Sequence, residues 1–289
     1  MARLVVATYN VHGGVDGWGR PFDVVDACRR IDADVLVLQE SWAPDGRPSL
    51  AATVADALGY VASELVLARG RILVPPADMG RRWGPHVWAR SSFGLRIVRR
   101  RPRRVDRPRV TARHDMELGT WGIAVLCRLP IRRTWTIELP QLHGDAARRG
   151  AVVVEVLLQG VDHAVPVVGT HLAHIRQGSP RHIAVLRRRL RAEGLGRVAA
   201  RHGGGADERA GEGAGRGVLA GDMNMWGPPL VALLPGWSRV VRGRTWPTWL
   251  PRPVAQSDHV LVSGGIEGTG SVLRVGGSDH LPVRAELVI

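Results

Sequence analysis

The chain has no lysine, and only two each of asparagine, tyrosine, phenylalanine and cysteine among 289 residues. Two cysteines, Cys28 and Cys127, cannot build a disulfide scaffold or a thiolate zinc cluster. Both stand in apolar contexts and read as small buried hydrophobes. No run of 18 apolar residues occurs, which excludes a membrane-spanning helix. The apolar run at residues 4–7 is too short for a signal-peptide core and leads straight into a polar motif. A cytoplasmic protein with no transmembrane segment is therefore expected. Negative charge is also scarce: 26 acidic against 40 basic residues leave a formal net charge of +14. All the basic residues are Arg, the mark of GC-rich codon usage. That bias swaps Lys for Arg but does not create the surplus. A surplus of this size favours a polyanionic partner such as nucleic acid or anionic headgroups; plain solubility is the bland alternative.

The length permits one large domain or two small ones with a sizeable core. Strand patterns fall at residues 4–8, 34–38, 123–127, 151–158, 165–169, 218–220, 260–262 and 283–288. Helical spacing marks 23–31, 49–58 (Ser49 the cap, Gly59 the stop) and 180–193. Several strands lack the helical crossover that a purely parallel sheet needs, so mixed or antiparallel sheets with helices outside are expected. Residues 96–109 hold eight Arg in fourteen positions, broken by Pro102 and Pro108, and read as a loop or sheet edge. The Gly-rich stretch 202–217 reads as a flexible loop rather than a linker. Strong motifs flank both stretches, so residues 1–289 are expected to form a single domain. The tripeptide Ser-Asp-His occurs at 257–259 and again at 278–280, too short to count as a repeat.

Polar residues gather at strand ends. Asn10 ends the first strand pattern and Glu40 the second; His171 follows another. Asp222 and Asn224 follow residues 218–220. Asp258 opens a strand, and Asp279-His280 precedes the last one. One sheet edge carrying Asn, Glu, His and Asp suits a hard cation and a phosphate. Glu40 and Asp279 are oxygen ligands of the kind Mg²⁺ prefers. The histidines offer proton transfer near neutral pH. Both asparagines of a chain nearly purged of them stand at these ends, where an ionised Asp cannot replace the amide as donor.

The segments Ala7-Thr-Tyr-Asn-Val-His-Gly, Asp34-Val-Leu-Val-Leu-Gln-Glu, Gly169-Thr-His-Leu, Gly221-Asp-Met-Asn, Ser257-Asp-His-Val-Leu and Gly277-Ser-Asp-His-Leu-Pro-Val resemble, in order, the motifs of the endonuclease/exonuclease/phosphatase superfamily. Gly122-Ile-Ala-Val-Leu-Cys-Arg-Leu-Pro and Arg149-Gly-Ala agree more weakly. The resemblance implies an α+β, four-layer α/β/β/α sandwich of the DNase I-like kind, with two mixed β-sheets face to face and helices outside. It implies Glu40 as the principal metal ligand, assisted by Asn10 and Asp279, with Mg²⁺ or Mn²⁺ as the cation. Asp222 is expected to orient or deprotonate the attacking water, and Asn224 to hold the scissile phosphate. Asp258 is expected to fix the tautomer of His280, the general base or charge stabiliser. His171 is expected to donate to a phosphate oxygen or the leaving group.

Other residues keep two readings. His12 either touches a phosphate or only shapes the Gly13-Gly14 turn. Arg176 and Arg181 either contact substrate or are solvated. Trp246 and Trp249 either stack on a base or headgroup, or pack. His259 reads as structural. Within the superfamily, Met225-Trp226 and Ser257-Asp-His argue against inositol-polyphosphate 5-phosphatases. His171 stands where abasic-site endonucleases have Tyr. The expected activity is a Mg²⁺-dependent phosphodiesterase, foremost a nuclease on DNA or RNA using metal-assisted water attack. A phospholipase C or sphingomyelinase-like enzyme, or a small-phosphoester phosphatase, is the alternative. A non-catalytic nucleic-acid-binding protein is the remote one. No protein partner is inferred.

Overall fold

In a computed structural model, residues 2–17, 20–73, 89–91, 116–143, 145, 147–196 and 215–289 are described. The Arg-rich stretch 96–109 and residues 202–214 of the Gly-rich stretch lie outside them. The end of the latter is not loop: Gly217 opens a strand.

Two mixed sheets form. The first runs in the order β12 (Glu267–Val272), β13 (Val283–Val288), β1 (Arg3–Asn10), β2 (Val35–Pro44), β5 (Met116–Cys127), β3 (Val61–Leu73), β4 (Ala89–Ser91). The second runs β10 (Ser238–Arg239), β11 (Asp258–Ser263), β9 (Gly217–Asp222), β8 (Val165–His171), β7 (Gly150–Val156), β6 (Ile131–Glu138). Among the described strands, only β1–β2 and β8–β9 pair in parallel. These pairs sit centrally, where both faces are covered, and their sequences are accordingly almost unbroken Val, Leu and Ala.

Alternation sorts those apolar residues into layers. Leu4, Val6, Val35 and Val37 meet Val165, Val167, Val218, Ala220, Val260 and Val262 between the sheets. Their neighbours Val5, Ala7, Leu36 and Leu38 face outward against helices α1 (Val24–Ile31) and α2 (Leu50–Leu58). Val168, Leu219 and Leu261 face α3 (Ser179–Ala192) and α4 (Gly227–Leu233). The result is the expected four-layer sandwich. The helix ends follow from capping: Asp23 and Ser49 accept backbone N–H groups of Asp26 and Ala52 at 2.9 and 2.8 Å, and Gly59 closes α2 in a left-handed conformation. Both cysteines are free and buried, and burial pushes the thiols of Cys28 and Cys127 up to about 12 and about 11. No helix among the described residues is long and apolar enough to cross a membrane.

Candidate active site

The alternation that fills the inter-sheet core also aims the site. Along β1 the inward positions are Leu4, Val6 and then Asn10; along β8, Val165, Val167 and His171; along β9, Val218, Ala220 and Asp222; along β11, Val262, Val260 and Asp258. At one end of the sandwich the apolar filling thus gives way to polar groups without any change of geometry. Two glycines permit the closeness. A Cβ on Gly169 would lie 2.6 Å from Val125 Cγ2 and 2.8 Å from Val37 Cγ1, so its absence lets the sheets meet just below His171. Gly221 has φ +152°, and a Cβ there would lie 2.0 Å from the Thr170 carbonyl oxygen.

Asp222 is the hub. Its Oδ2 accepts the Asn10 amide N–H at 3.1 Å and stands 3.7 Å from His171 Nε2 and 3.8 Å from His280 Nε2. Those two spacings are too long for direct hydrogen bonds; an oxygen arriving beside them can reach both partners. Oδ1 accepts the Asn224 N–H at 2.9 Å, which holds Asn224 at φ +49°. Asn224 then donates to the Leu172 carbonyl at 3.0 Å and turns its amide to 3.4 Å from His171 Nε2.

Asp258, fully buried, bonds His280 Nδ1 through Oδ2 at 2.8 Å, which leaves Nε2 facing Asp222. The Ser257 hydroxyl donates to the same Oδ2 at 3.0 Å, and Thr245 Oγ1 accepts the backbone N–H of Ser257 and of Asp258. Burial opposes charge on His280, but the carboxylates of Asp258, Asp279 and Asp222 outweigh it and hold its pKa well above the ordinary value. His171 goes the other way: burial, then Arg149 and His280, hold it well below, so it is neutral. Asp222 is raised by burial and by the nearby Asp258 carboxylate. Two imidazoles driven apart on either side of one carboxylate form a pattern associated with acid–base division of labour.

Glu40 arrives by a β-bulge. The β2–β5 register shifts between Gln39 and Ser41, so Glu40 is unpaired and held at φ +54°. Its Oε1 accepts from the Asn10 amide at 3.2 Å and lies 3.9 Å from His171 Nε2. Asp279 Oδ2 accepts from Trp246 Nε1 at 3.2 Å, while Oδ1 lies 3.4 Å from His12 Nδ1 and 4.0 Å from His280 Nε2. His12, at φ +47°, also places Nδ1 3.2 Å from the Val15 carbonyl. It therefore both shapes the turn and flanks Asp279.

All eight residues singled out in the sequence thus enter one linked network. The tightest group among the described residues is Asp222, Asp258 and His280, whose ligand-type atoms lie within 4.8 Å of one another. Its compactness comes from the Asp258–His280 hydrogen bond at 2.8 Å, which already occupies one carboxylate oxygen and one ring nitrogen of the group. The oxygens that suit a hard cation are those of Glu40, with 27% of its side chain exposed, and of Asp279. Asn10 presents its amide nitrogen to Glu40 and Asp222, because its oxygen accepts the His12 N–H at 3.0 Å. Sequence reasoning missed the groups behind these. The Tyr9 hydroxyl accepts the N–H groups of Gly277 and Ser278, each at 3.1 Å, and the Ser278 hydroxyl donates to the Asn10 carbonyl at 2.7 Å. The recurrence of Ser before Asp-His was the one available signal.

A family model described as the Endonuclease/Exonuclease/phosphatase family matches residues 7–280. The chain belongs to that family. Its members are hydrolases acting on phosphoesters, and they depend on divalent metals. Among curated proteins, none matches the chain in sequence. The solved structures it resembles show the fold. An endonuclease/exonuclease/phosphatase from Beutenbergia cavernae DSM 12333 is 19% identical with a TM-score of 0.61, over 100% of this chain and 72% of that one. The mannosyl-6-phosphatase Bt3783 of Bacteroides thetaiotaomicron VPI-5482 is 15% identical with a TM-score of 0.60, over 99% and 100%. D. rerio TDP2 complexed with single strand DNA product is 14% identical with a TM-score of 0.56, over 100% of both chains.

Proposed function

We propose that this protein is a Mg²⁺-dependent phosphodiesterase acting on nucleic acid. The observation that carries the reading is the placement of Asp222 Oδ2 between His171 and His280, beside the Asn10–Glu40 pair. In this reading Asp222 takes the proton of the attacking water. His280, held by Asp258, turns a charged N–H towards the phosphate. Asn224 positions the phosphate, and neutral His171 serves the leaving-group side. Glu40 and Asp279 would hold the cation, their carboxylates being the hard donors at the site, and Asn10 ties Glu40 to Asp222. When bound, a divalent cation there supplies positive charge that offsets the repulsion between a phosphodiester and its nucleophile.

The polymer substrate is supported by charge. Arg176, Arg181, Arg188, Arg189 and Arg191 follow the His171 loop into α3, all exposed and without an ion pair among the described residues. Helix α3 itself holds no acidic residue. The likeness to TDP2 bound to a DNA product supports the same reading. The likeness to a mannosyl-6-phosphatase favours a second one, a phosphatase of small phosphoesters. A panel of bis-p-nitrophenyl phosphate, single-stranded and plasmid DNA, RNA and a sugar phosphate, each with Mg²⁺ and with EDTA, decides. The expected result is cation-dependent cleavage of the diester and of nucleic acid. Cleavage of the sugar phosphate alone would transfer the site to the second reading.

A further inference from the structure

The reaction scheme leaves a cavity beside His280 without a task. It holds about 360 Å³ and is lined by His280, Trp249, Arg20 and Arg274 over the backbone of Gly276–Ser278. Its volume is at the low end of small-ligand sites, about 300–1,000 Å³. Trp249 is held in place by the site itself: it packs edge-on at 5.5 Å against Trp246, whose indole N–H is bound to Asp279. Arg20 is offset by Asp16, to which its Nε donates at 2.6 Å. Arg274 is exposed, and among the described residues it has neither ion pair nor hydrogen-bond partner. A cavity that opens on the acid–base histidine therefore offers one aromatic wall and one uncompensated guanidinium.

We infer that this cavity is the subsite for the nucleotide adjoining the scissile phosphate, with its base against the Trp249 indole and its far phosphate on Arg274. The inference rests on the nucleic-acid reading above and sharpens it. Aromatic stacking accepts any base, and a guanidinium accepts any phosphate, so the subsite reads chain rather than sequence. A base seated there has left its stack, which makes a single strand or an opened end the preferred form over an intact duplex.

The test is binding, kept apart from turnover. A labelled phosphorothioate single strand of about 12 nucleotides, long enough to span the cleft and resistant to cleavage, is titrated by fluorescence anisotropy with Mg²⁺ present. Trp249→Ala is expected to raise Kd about tenfold, with Trp249→Phe keeping most of the affinity. Arg274→Ala is expected to lower the slope of log Kd against log salt by about 0.7. Deoxyadenosine monophosphate is expected to compete and mannose 6-phosphate not. Circular dichroism confirms that each variant folds. Unchanged Kd in both Ala variants, or competition by the sugar phosphate alone, overturns the subsite. Cleavage of ordinary DNA on the same preparations separates the two claims. Trp249-dependent binding without cleavage sinks the enzymatic reading and leaves the subsite standing. Cleavage with Trp249-independent binding sinks the subsite alone.

Discussion

The tripeptide Ser-Asp-His is written twice, and its two histidines end in opposite electrical states. In the first copy Asp258 and His259 are successive residues of a strand, so they point to opposite faces of their sheet. Asp258 turns inward to the site. His259 turns outward, fully buried, with Nε2 donating to the Met225 carbonyl at 2.8 Å and Nδ1 making no hydrogen bond among the described residues. Burial lowers its pKa to about 4. In the second copy Asp279 and His280 stand in the loop before β13, with no strand to separate them, and both enter the site. There three carboxylates keep His280 charged. Ser257 donates to the Asp beside it at 3.0 Å, whereas Ser278 gives its one hydroxyl proton to the Asn10 carbonyl at 2.7 Å and lies 3.3 Å from Asp279 Oδ1. The same letters therefore build a buried neutral histidine once and a charged histidine at the candidate site once, and the backbone around them decides which.

The largest effect that can break this contrast is on turnover. His280→Ala is expected to lower kcat on bis-p-nitrophenyl phosphate by about a thousandfold. His259→Ala keeps kcat within a few-fold and instead lowers the melting temperature, by a stability loss of about 2 kcal/mol. Steady-state kinetics and calorimetry on the two variants check both; equal kinetic losses would erase the distinction.

The two aspartates divide next. Asp258→Asn removes the acceptor that orients His280 and is expected to lower kcat about a hundredfold at unchanged Mg²⁺ requirement. Asp279→Asn is expected to raise the Mg²⁺ concentration for half-maximal rate about tenfold, as loss of a supporting oxygen does. A Mg²⁺ titration of each variant tells them apart. If Asp258→Asn were the one to shift the metal requirement, the buried trio would be the cation site.

Stability against pH sharpens the comparison further. His259 has a folded pKa near 4, below the ordinary value, so the unfolded chain binds its proton first. Its contribution is full above pH about 6.5 and is lost as pH falls towards 4, to a limit of about 3 kcal/mol. His280 has the reverse sign: its folded pKa is raised, so its contribution is full below pH about 6.5 and is lost as pH climbs through that raised value. Denaturant melts across pH should therefore show an acid limb that His259→Gln flattens and a basic limb that His280→Gln flattens. An acid limb untouched by His259→Gln would refute its buried neutral state. The smallest effects belong to the serines, where Ser257→Ala and Ser278→Ala are each expected to cost about 1 kcal/mol, read by the same melts.

The centre of the fold was legible because its strands are buried on both faces. Residues 283–288 match β13 as expected, and the helices at 23–31, 49–58 and 180–193 shift by about a residue at their ends. The edges were not legible. Strand β6, Ile-Arg-Arg-Thr-Trp-Thr-Ile-Glu, is exposed along most of its length, and β12, Glu-Gly-Thr-Gly-Ser-Val, has nearly no apolar content; edge strands carry such sequences to discourage pairing. Helix α4 begins Gly-Pro-Pro, which reads locally as a turn. In the site, Asn10, His171, Asp222 and Asp258 were foreseeable because they continue the inward alternation of core strands. The bulge that delivers Glu40 leaves no mark in the alternation of β2. The hydroxyls of Tyr9 and Thr245 act on backbone far away in sequence, at Gly277 and Ser257, and no local pattern announces them.

In the proposed mechanism Glu40, carried out of register by its bulge, brings a cation to the phosphate that Asp222 and His280 address. Its most direct test is the rate of bis-p-nitrophenyl phosphate hydrolysis against free Mg²⁺ for the native chain and for Glu40→Gln. The expected result is a saturable rise abolished by EDTA, and a variant whose rate stays about a thousandfold lower at any accessible Mg²⁺. Hydrolysis that is indifferent to EDTA, or a Glu40→Gln curve that overlies the native one, would contradict it.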